Sequence, residues 1–305
     1  MTPQDIAGFR LRSQWIVGSA ARTPAEVVAH FGAMQAQDHA GALWAIGLRL
    51  PDATETDVER AVAEREIVRT WPMRGTLHFV AADDIRWMLE LMTPRVIAAS
   101  RKRWMELELS DTIFAQCRKV LEKLLQGGVA LTRDDLLAGL EKKGISTAGG
   151  RSYHIPWRLA QERVLCFGPR AGKQKTFVLL DEWVPKSRKL AGDEALAELA
   201  LRYFASHGPA TQADFVWWSG LKSADARAAI ALVAPQLASE TADGKTYWMR
   251  GDSALPGPSP GFLLPGFDEY LLGYTDRSAV LDARHAVKIV PGSNGIFLPM
   301  LVNDG

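Results

Sequence analysis

The chain has 305 residues, 47% of them hydrophobic, enough for a sizeable core and about two domains by length. Its 36 basic and 35 acidic residues nearly cancel, which excludes a uniformly basic nucleic-acid binder, so any such surface has to be a local patch. The N-terminus has no basic flank followed by an apolar run, no stretch of about 18 apolar residues occurs, and Cys117 and Cys166 lie far apart without metal-type spacing. The reading is a soluble cytoplasmic protein with buried free thiols and no membrane partner.

In chain order, residues 5–17 read as a first helix with Ile6, Phe9, Leu11, Trp15 and Ile16 on its apolar side. Thr23 can cap a second helix that Pro24 begins. After a polar turn, residues 41–48 are almost wholly apolar and predict a buried helix, and Thr54 with Asp57 starts a fourth. Residues 67–80 read as two short strands around a Pro-to-Gly bend, with Arg74 and His78 near it. Helices followed by a hairpin make a winged helix, so residues 1–81 form the first module.

Residues 83–109 predict two helices broken at Thr93-Pro94, the second carrying Arg95, Arg101, Lys102 and Arg103, and another helix covers residues 111–126. A repeat follows: Thr132 with Asp135, and Thr211 with Asp214, each open a helix. Each leads to a second helix (residues 151–163 and 224–232) and a hairpin. The first hairpin joins residues 164–167 to 176–180 across a loop bearing Arg170, Lys173 and Lys175; the second turns at Asp243-Gly244. Residues 151–189 hold nine basic residues against three acidic ones. The second and third modules are thus residues 82–190 and 191–251, and the basic middle wing suits a phosphate clamp.

Residues 252–260 read as a linker, and residues 262–265, 279–281, 287–290 and 296–302 as strands of a small sheet or barrel in a segment 252–305. Asp304-Gly305 signals a turn with no returning strand, so a longer natural chain or a partner strand is expected. The fold class is α+β, mainly helical: three tandem winged helices and a C-terminal β-rich segment.

The stretch with the most chemistry is Met34-Gln35-Ala36-Gln37-Asp38. In an extended connection Gln35 and Gln37 point the same way, whereas on a helix they diverge by about 200°. Neutral amides orient a water but take no proton, which suits a leaving group needing little help. The structural alternative is that both amides cap helix ends or bind backbone. Asp38 points away and caps the following helix.

Gln35-Ala36-Gln37-Asp38 with Gly41-Ala42-Leu43-Trp44-Ala45, then Arg74-Gly75-Thr76-Leu77-His78, then Phe267-Asp268-Glu269-Tyr270-Leu271-Leu272-Gly273-Tyr274, resembles the AlkZ-type DNA glycosylases. The resemblance runs over nearly the whole chain. It implies a bacterial, monomeric, monofunctional enzyme of tandem winged helices that excises alkylated purines from double-stranded DNA and unhooks crosslinks. It would need no cofactor and associate with the nucleoid when bound. By matching position Gln35 and Gln37 take the catalytic role, and the second glutamine points to the azinomycin-crosslink branch rather than the Gln-x-Asp nitrogen-mustard branch. Arg74, His78, Arg101, Arg103, Arg170, Lys173 and Lys175 are the DNA-contact candidates. Asp38, Asp268, Tyr270, Asp276 and Arg277 are cleft or supporting candidates, with Glu269 and Asp282 as further acids.

Two other patterns carry nothing. Ser259 sits in a serine-elbow spacing but between two prolines, and residues 168–173 imitate a phosphate loop one residue short. The six histidines show no metal spacing, so no metal is expected. The competing functional reading is a non-catalytic winged-helix regulator, which fold alone does not exclude.

Overall fold

The computed structural model describes residues 1–251, 257, 260–292, 295–303 and 305. Most of the expected linker, Ser259 and Asp304 lie outside them. The architecture is α+β, mainly helical with small antiparallel sheets. Two compact units divide the chain: residues 1–58 with 190–305, and residues 59–189.

The first unit opens with α1 (Pro3–Ser13). Thr2 and Asp5 cap it reciprocally: Asp5 N donates to Thr2 Oγ1 at 3.1 Å and Thr2 N to Asp5 Oδ2 at 2.7 Å. The helix stops short of Val17 because Trp15 takes a positive φ of 56° and stacks on His30 at 3.7 Å. Thr23 caps α2 (Pro24–Phe31), accepting from Glu26 N. A three-residue strand, β1 (Ala33–Gln35), leads to α3 (His39–Leu48). This helix is not wholly buried: Trp44 is 56% exposed and donates its indole N–H to Leu263 O at 2.9 Å. The chain crosses into the second unit within α4 (Glu55–Ala63), whose start Thr54 and Asp57 fix as expected.

The second unit begins with the hairpin of β2 (Ile67–Met73) and β3 (Thr76–Ala81). Arg74 and Gly75 form its turn with φ of 52° and 71°. Gly75 is required twice over, by that backbone and by Trp157, whose ring lies 2.9 Å from where a Cβ would stand. Residues 85–106 form one helix, α5 (Ile85–Glu106), and not two broken at Pro94. Pro94 removes the N–H that would bond the Glu90 carbonyl, but Glu90 and Pro94 both lie on the wet face, where water can replace it. The buried Thr93 hydroxyl ties this turn down by donating to Leu89 O at 2.7 Å.

Next come α6 (Asp111–Leu125), β4 (Leu131–Thr132), α7 (Arg133–Glu141) and α8 (Arg151–Gln161). The unit closes with β5 (Leu165–Phe167), β6 (Thr176–Leu179) and the short α9 (Leu180–Trp183). The last three strands form an antiparallel sheet in the order β4-β6-β5. One core joins Trp104, Phe114, Leu121, Leu136, Ile155, Leu159 and Phe177. Both cysteines are buried free thiols, and burial pushes the Cys117 pKa up to about 11.

Back in the first unit, α10 (Gly192–His207) is a helix the sequence reading passed over, with Ala195, Leu199, Ala200, Tyr203 and Phe204 buried. It is followed by α11 (Gln212–Ser219), α12 (Ser223–Val233) and the hairpin of β7 (Ala238–Ala242) and β8 (Lys245–Met249), turning at Asp243-Gly244. The C-terminal segment is less β-rich than its composition suggests. Of its four expected strands, two survive as β9 (Phe262–Leu264) and β10 (Met300–Val302), which pair, while the one expected at 287–290 falls in the helix α14 (Ala283–Ile289); a further short helix, α13 (Glu269–Leu272), precedes it. Residues 279–281 are a turn. Asp282 overrides the β-branched run after it by accepting from Arg284 N at 2.8 Å, so a helix starts there and no barrel forms among the described residues.

Candidate functional site

The paired amides lie in the connection between α2 and α3. Gln35 is 8% exposed and its side chain turns back on its own chain: Oε1 accepts from Ala36 N at 2.9 Å and Gln37 N at 3.1 Å. That oxygen holds the turn, leaving the NH₂ as the group Gln35 can offer a ligand. Gln37 is exposed. The two amides are therefore unlike: one is buried and shapes the backbone, the other is exposed. Asp38 occupies the position before α3 but makes no capping bond. Its carboxylate lies instead over Gly41, 2.8 Å from the place of a missing Cβ, in space only glycine leaves.

Residues 267–274 pack behind this turn within the same unit, and five of them make identifiable contacts. Asp268 is paired to Arg49 and also caps α13 through Tyr270 N at 2.9 Å. Glu269 Oε1 accepts the Gln35 backbone N–H at 2.8 Å. Tyr270 is fully buried, its hydroxyl donating to Gly305 O at 3.2 Å. Gly273 leaves room for the His207 ring, which would stand 2.5 Å from a Cβ there. The Tyr274 hydroxyl donates to His207 O at 2.7 Å and accepts from Gln14 Nε2 at 3.1 Å, under the Arg10 guanidinium. Asp268 and Tyr270 therefore support the turn from the core.

Asp276 and Arg277 lie farther along. Lys245 Nζ donates to Asp276 Oδ2 at 2.5 Å and, with Ser278, holds that carboxyl well below the usual carboxylate range. Arg277 is sandwiched between Trp217 and Phe297, and burial lowers its pKa. Asp282 is tied to Arg284 at the surface.

The cationic candidates all belong to the second unit. Arg74 and His78 are adjacent: Arg74 Nη2 lies 3.4 Å from His78 Nε2, while His78 Nδ1 donates to Thr76 O at 2.9 Å. His78 is fully buried. Arg101 and Arg103 are exposed near the end of α5, Arg103 beside Glu106 at 3.0 Å. Arg170, Lys173 and Lys175 are exposed on the β5–β6 loop.

The local surplus of positive charge read from residues 151–189 is largely answered in space. Arg151 pairs with Glu108, Arg158 with Glu162 and Asp111, Arg163 with Glu90, Arg170 with Glu59 and Arg188 with Asp84. Most of those carboxylates come from outside the stretch, which is why its sequence alone overstates its field.

Sequence reasoning missed Gln14, Arg49, His207 and Trp218, which surround the 267–274 segment. Their signal was faint: isolated polar or aromatic residues within or just past the ends of otherwise ordinary helices. Among the described residues no three His, Cys, Asp or Glu side chains cluster as metal ligands, and no helix is long and apolar enough to cross a membrane.

Comparison with known proteins assigns the arrangement to a family. The family model for DNA glycosylase AlkZ-like proteins matches residues 28–305. The interstrand DNA cross-link repair glycosylase of Streptomyces sahachiroi is 28% identical over 329 aligned positions, covering 99% of this chain and 85% of that protein. The solved structure of Streptomyces sahachiroi DNA glycosylase AlkZ superposes with a TM-score of 0.79 at 24% identity, over 100% of this chain and 86% of that one, and shows the same fold. The chain belongs to the AlkZ-like DNA glycosylase family, and is thus a hydrolase acting on N-glycosyl bonds in DNA.

Proposed function

We propose that this glycosylase excises bulky N7- or N3-alkylated purines from duplex DNA and unhooks interstrand crosslinks, as the name of its Streptomyces relative suggests. The observation that carries the reading is the exposed Gln37 amide on a turn that the Gln35 carbonyl locks. Alkylation leaves the purine cationic, so it departs with the glycosidic electron pair and becomes neutral. The oxocarbenium-like sugar is then captured by water, whose proton passes to solvent. Gln37 orients that water through its carbonyl, and the Gln35 NH₂ helps to hold the sugar. Such a reaction draws on positioning more than on a strong base. The Gln-x-Gln form assigns the chain to the azinomycin-crosslink branch.

The chain reads as three winged-helix modules, residues 1–81, 82–190 and 191–251, with the segment 252–305 supporting the first. The hairpins β2–β3, β5–β6 and β7–β8 are the wings. Arg74, Arg101, Arg103, Arg170, Lys173 and Lys175 neutralise phosphates, and His78 holds Arg74 in place. The enzyme acts as a monomer, and a crosslinked base need not be swung into a tight pocket. The non-catalytic regulator is set aside by the family assignment.

The test is a defined duplex bearing an N7-alkylguanine, scored for alkali-labile strand breaks. The wild type should produce them, and Gln35→Ala combined with Gln37→Ala should not. Native-rate excision by the double variant would remove both glutamines from the mechanism.

A further inference from the structure

A buried carboxylate is costly unless donors meet its oxygens. Glu269 is 1% exposed, and its two oxygens face different partners. Oε1 takes the Gln35 backbone N–H. Oε2 accepts the Trp218 indole N–H at 3.1 Å and lies 3.4 Å from His207 Nε2. Burial lowers the His207 pKa, Glu269 opposing, so near neutrality the ring is uncharged and Nε2–H donates to the carboxylate. Ser206 Oγ sits 2.8 Å from the other ring nitrogen, and Tyr203 stacks on the ring at 4.6 Å. The Arg49 guanidinium is committed to Asp268, Gln14 and Ala45.

We infer that Glu269 is the positioning residue of the amide turn. His207 and Trp218 fix one carboxylate oxygen so that the other sets the height and tilt of the Gln35 peptide, from which the Gln35 carbonyl loop and the outward placement of Gln37 follow. A charge-assisted bond to a backbone N–H is shorter and stronger than a neutral one. The neutral glutamines therefore owe their geometry to a carboxyl group that is itself buried behind the turn. The inference rests on the amide turn being the catalytic element, and it assigns the acid of the 267–274 motif to preorganisation, not proton transfer.

The test compares full-length Glu269→Ala, Glu269→Gln and Trp218→Phe. Two readouts are needed: hydrogen exchange of the 33–38 segment, and excision of a bulky N7-alkylguanine from duplex DNA, measured as a single-turnover rate and as a steady-state KM. Glu269→Ala should speed exchange of the turn on the order of tenfold, as the loss of one charge-assisted bond implies. It should slow excision on the order of 100-fold, the usual consequence of misplacing a reacting group by about 1 Å. KM should stay within about twofold, because no substrate contact is removed. Glu269→Gln, which keeps a carbonyl for the Gln35 N–H, should give the smaller change in both and covers the case where the alanine variant does not fold. Trp218→Phe, which removes the indole N–H that holds Oε2, should speed exchange of the turn, though by less than Glu269→Ala does. Unchanged exchange of the 33–38 segment in the folded Glu269 variants overturns the assignment. Faster exchange in a protein whose wild type excises nothing upholds the positioning role and overturns instead the catalytic reading of the glutamines.

Discussion

Arg49 and Asp268 form a two-toothed ion pair, 2.9 and 2.8 Å long, with neither side chain exposed to solvent. All five guanidinium N–H groups are used: two on Asp268, two on Gln14 and one on the Ala45 carbonyl. The pair joins the end of α3 to the start of α13, so it fixes where the 267–274 segment lies relative to the amide turn. Removing one partner strands a buried charge, which costs about 3–5 kcal/mol. Asp268→Ala should lose that much in urea unfolding, and Asp268→Ala with Arg49→Met should recover part of it. A single variant within about 0.5 kcal/mol of wild type would show that the pair does not organise this unit.

The two glutamines should fail differently. Gln35→Ala removes the acceptor for two backbone N–H groups in a buried turn, a loss of about 1–3 kcal/mol. Gln37→Ala removes an exposed amide and should cost less stability than Gln35→Ala. Excision should nonetheless fall on the order of 100-fold in the Gln37 variant, by analogy with deleting one preorganised polar group at a reacting centre. Melting temperature alongside single-turnover rate separates these outcomes, and equal stability losses would contradict the asymmetry of the turn.

What was legible in the sequence was local. Thr132 with Asp135, Thr211 with Asp214 and the Asp243-Gly244 turn are rules of three or four residues, and the structure carries all of them. The amide turn was read only in part: the strand ends at Gln35 and the chain bends at Gln37, so one amide is buried and the other exposed where an extended connection predicted that both face one way. Pro94 misled because its effect depends on whether the orphaned carbonyl faces water, a tertiary fact. Val287 and Ile289 misled because the Asp282 cap outweighed their strand preference. The resemblance singled out the 267–274 segment as a supporting one but not its individual contacts, since Glu269 meets Gln35 across 234 residues of chain. Charge pairing was hidden likewise: Arg163 and Glu90 are 73 residues apart.

Acid should destabilise this protein through its histidines. Burial pushes the His30 pKa down to about 4, and the carbonyl of Ser13 at 2.7 Å opposes that only in part. Burial lowers His207 in the same direction. Unfolded histidine titrates near 6.5, so between about pH 4 and 6.5 the unfolded chain binds more protons than the folded one. The histidine contribution is complete above that window and is lost as pH falls through it, at about 3 kcal/mol for His30 alone. Asp276, held low by Lys245, contributes a loss only below the ordinary carboxylate pKa and so does not act in this range. Urea midpoints should fall from about pH 7 to pH 5, and His30→Gln should flatten the decline. A level profile would mean that the buried rings are not neutral.

The β5–β6 loop carries Arg170, a cation already answered, and Lys173, a cation exposed to solvent. Arg170 donates to Glu59 at 3.1 Å and to the Lys173 carbonyl at 3.3 Å, so its charge is partly spent before DNA arrives. Lys173 and Lys175 stand exposed beyond it, around the Gly172 turn. Each phosphate contact displaces counterions, so removing one flattens the dependence of log K on log salt by about 1. Lys173→Ala should show that change in duplex binding, whereas Arg170→Ala should show less. Glu59→Gln should steepen the dependence by freeing Arg170. If Lys173→Ala left the slope untouched, the loop would drop out of the interface and the phosphate contacts would fall to Arg101 and Lys102 on α5.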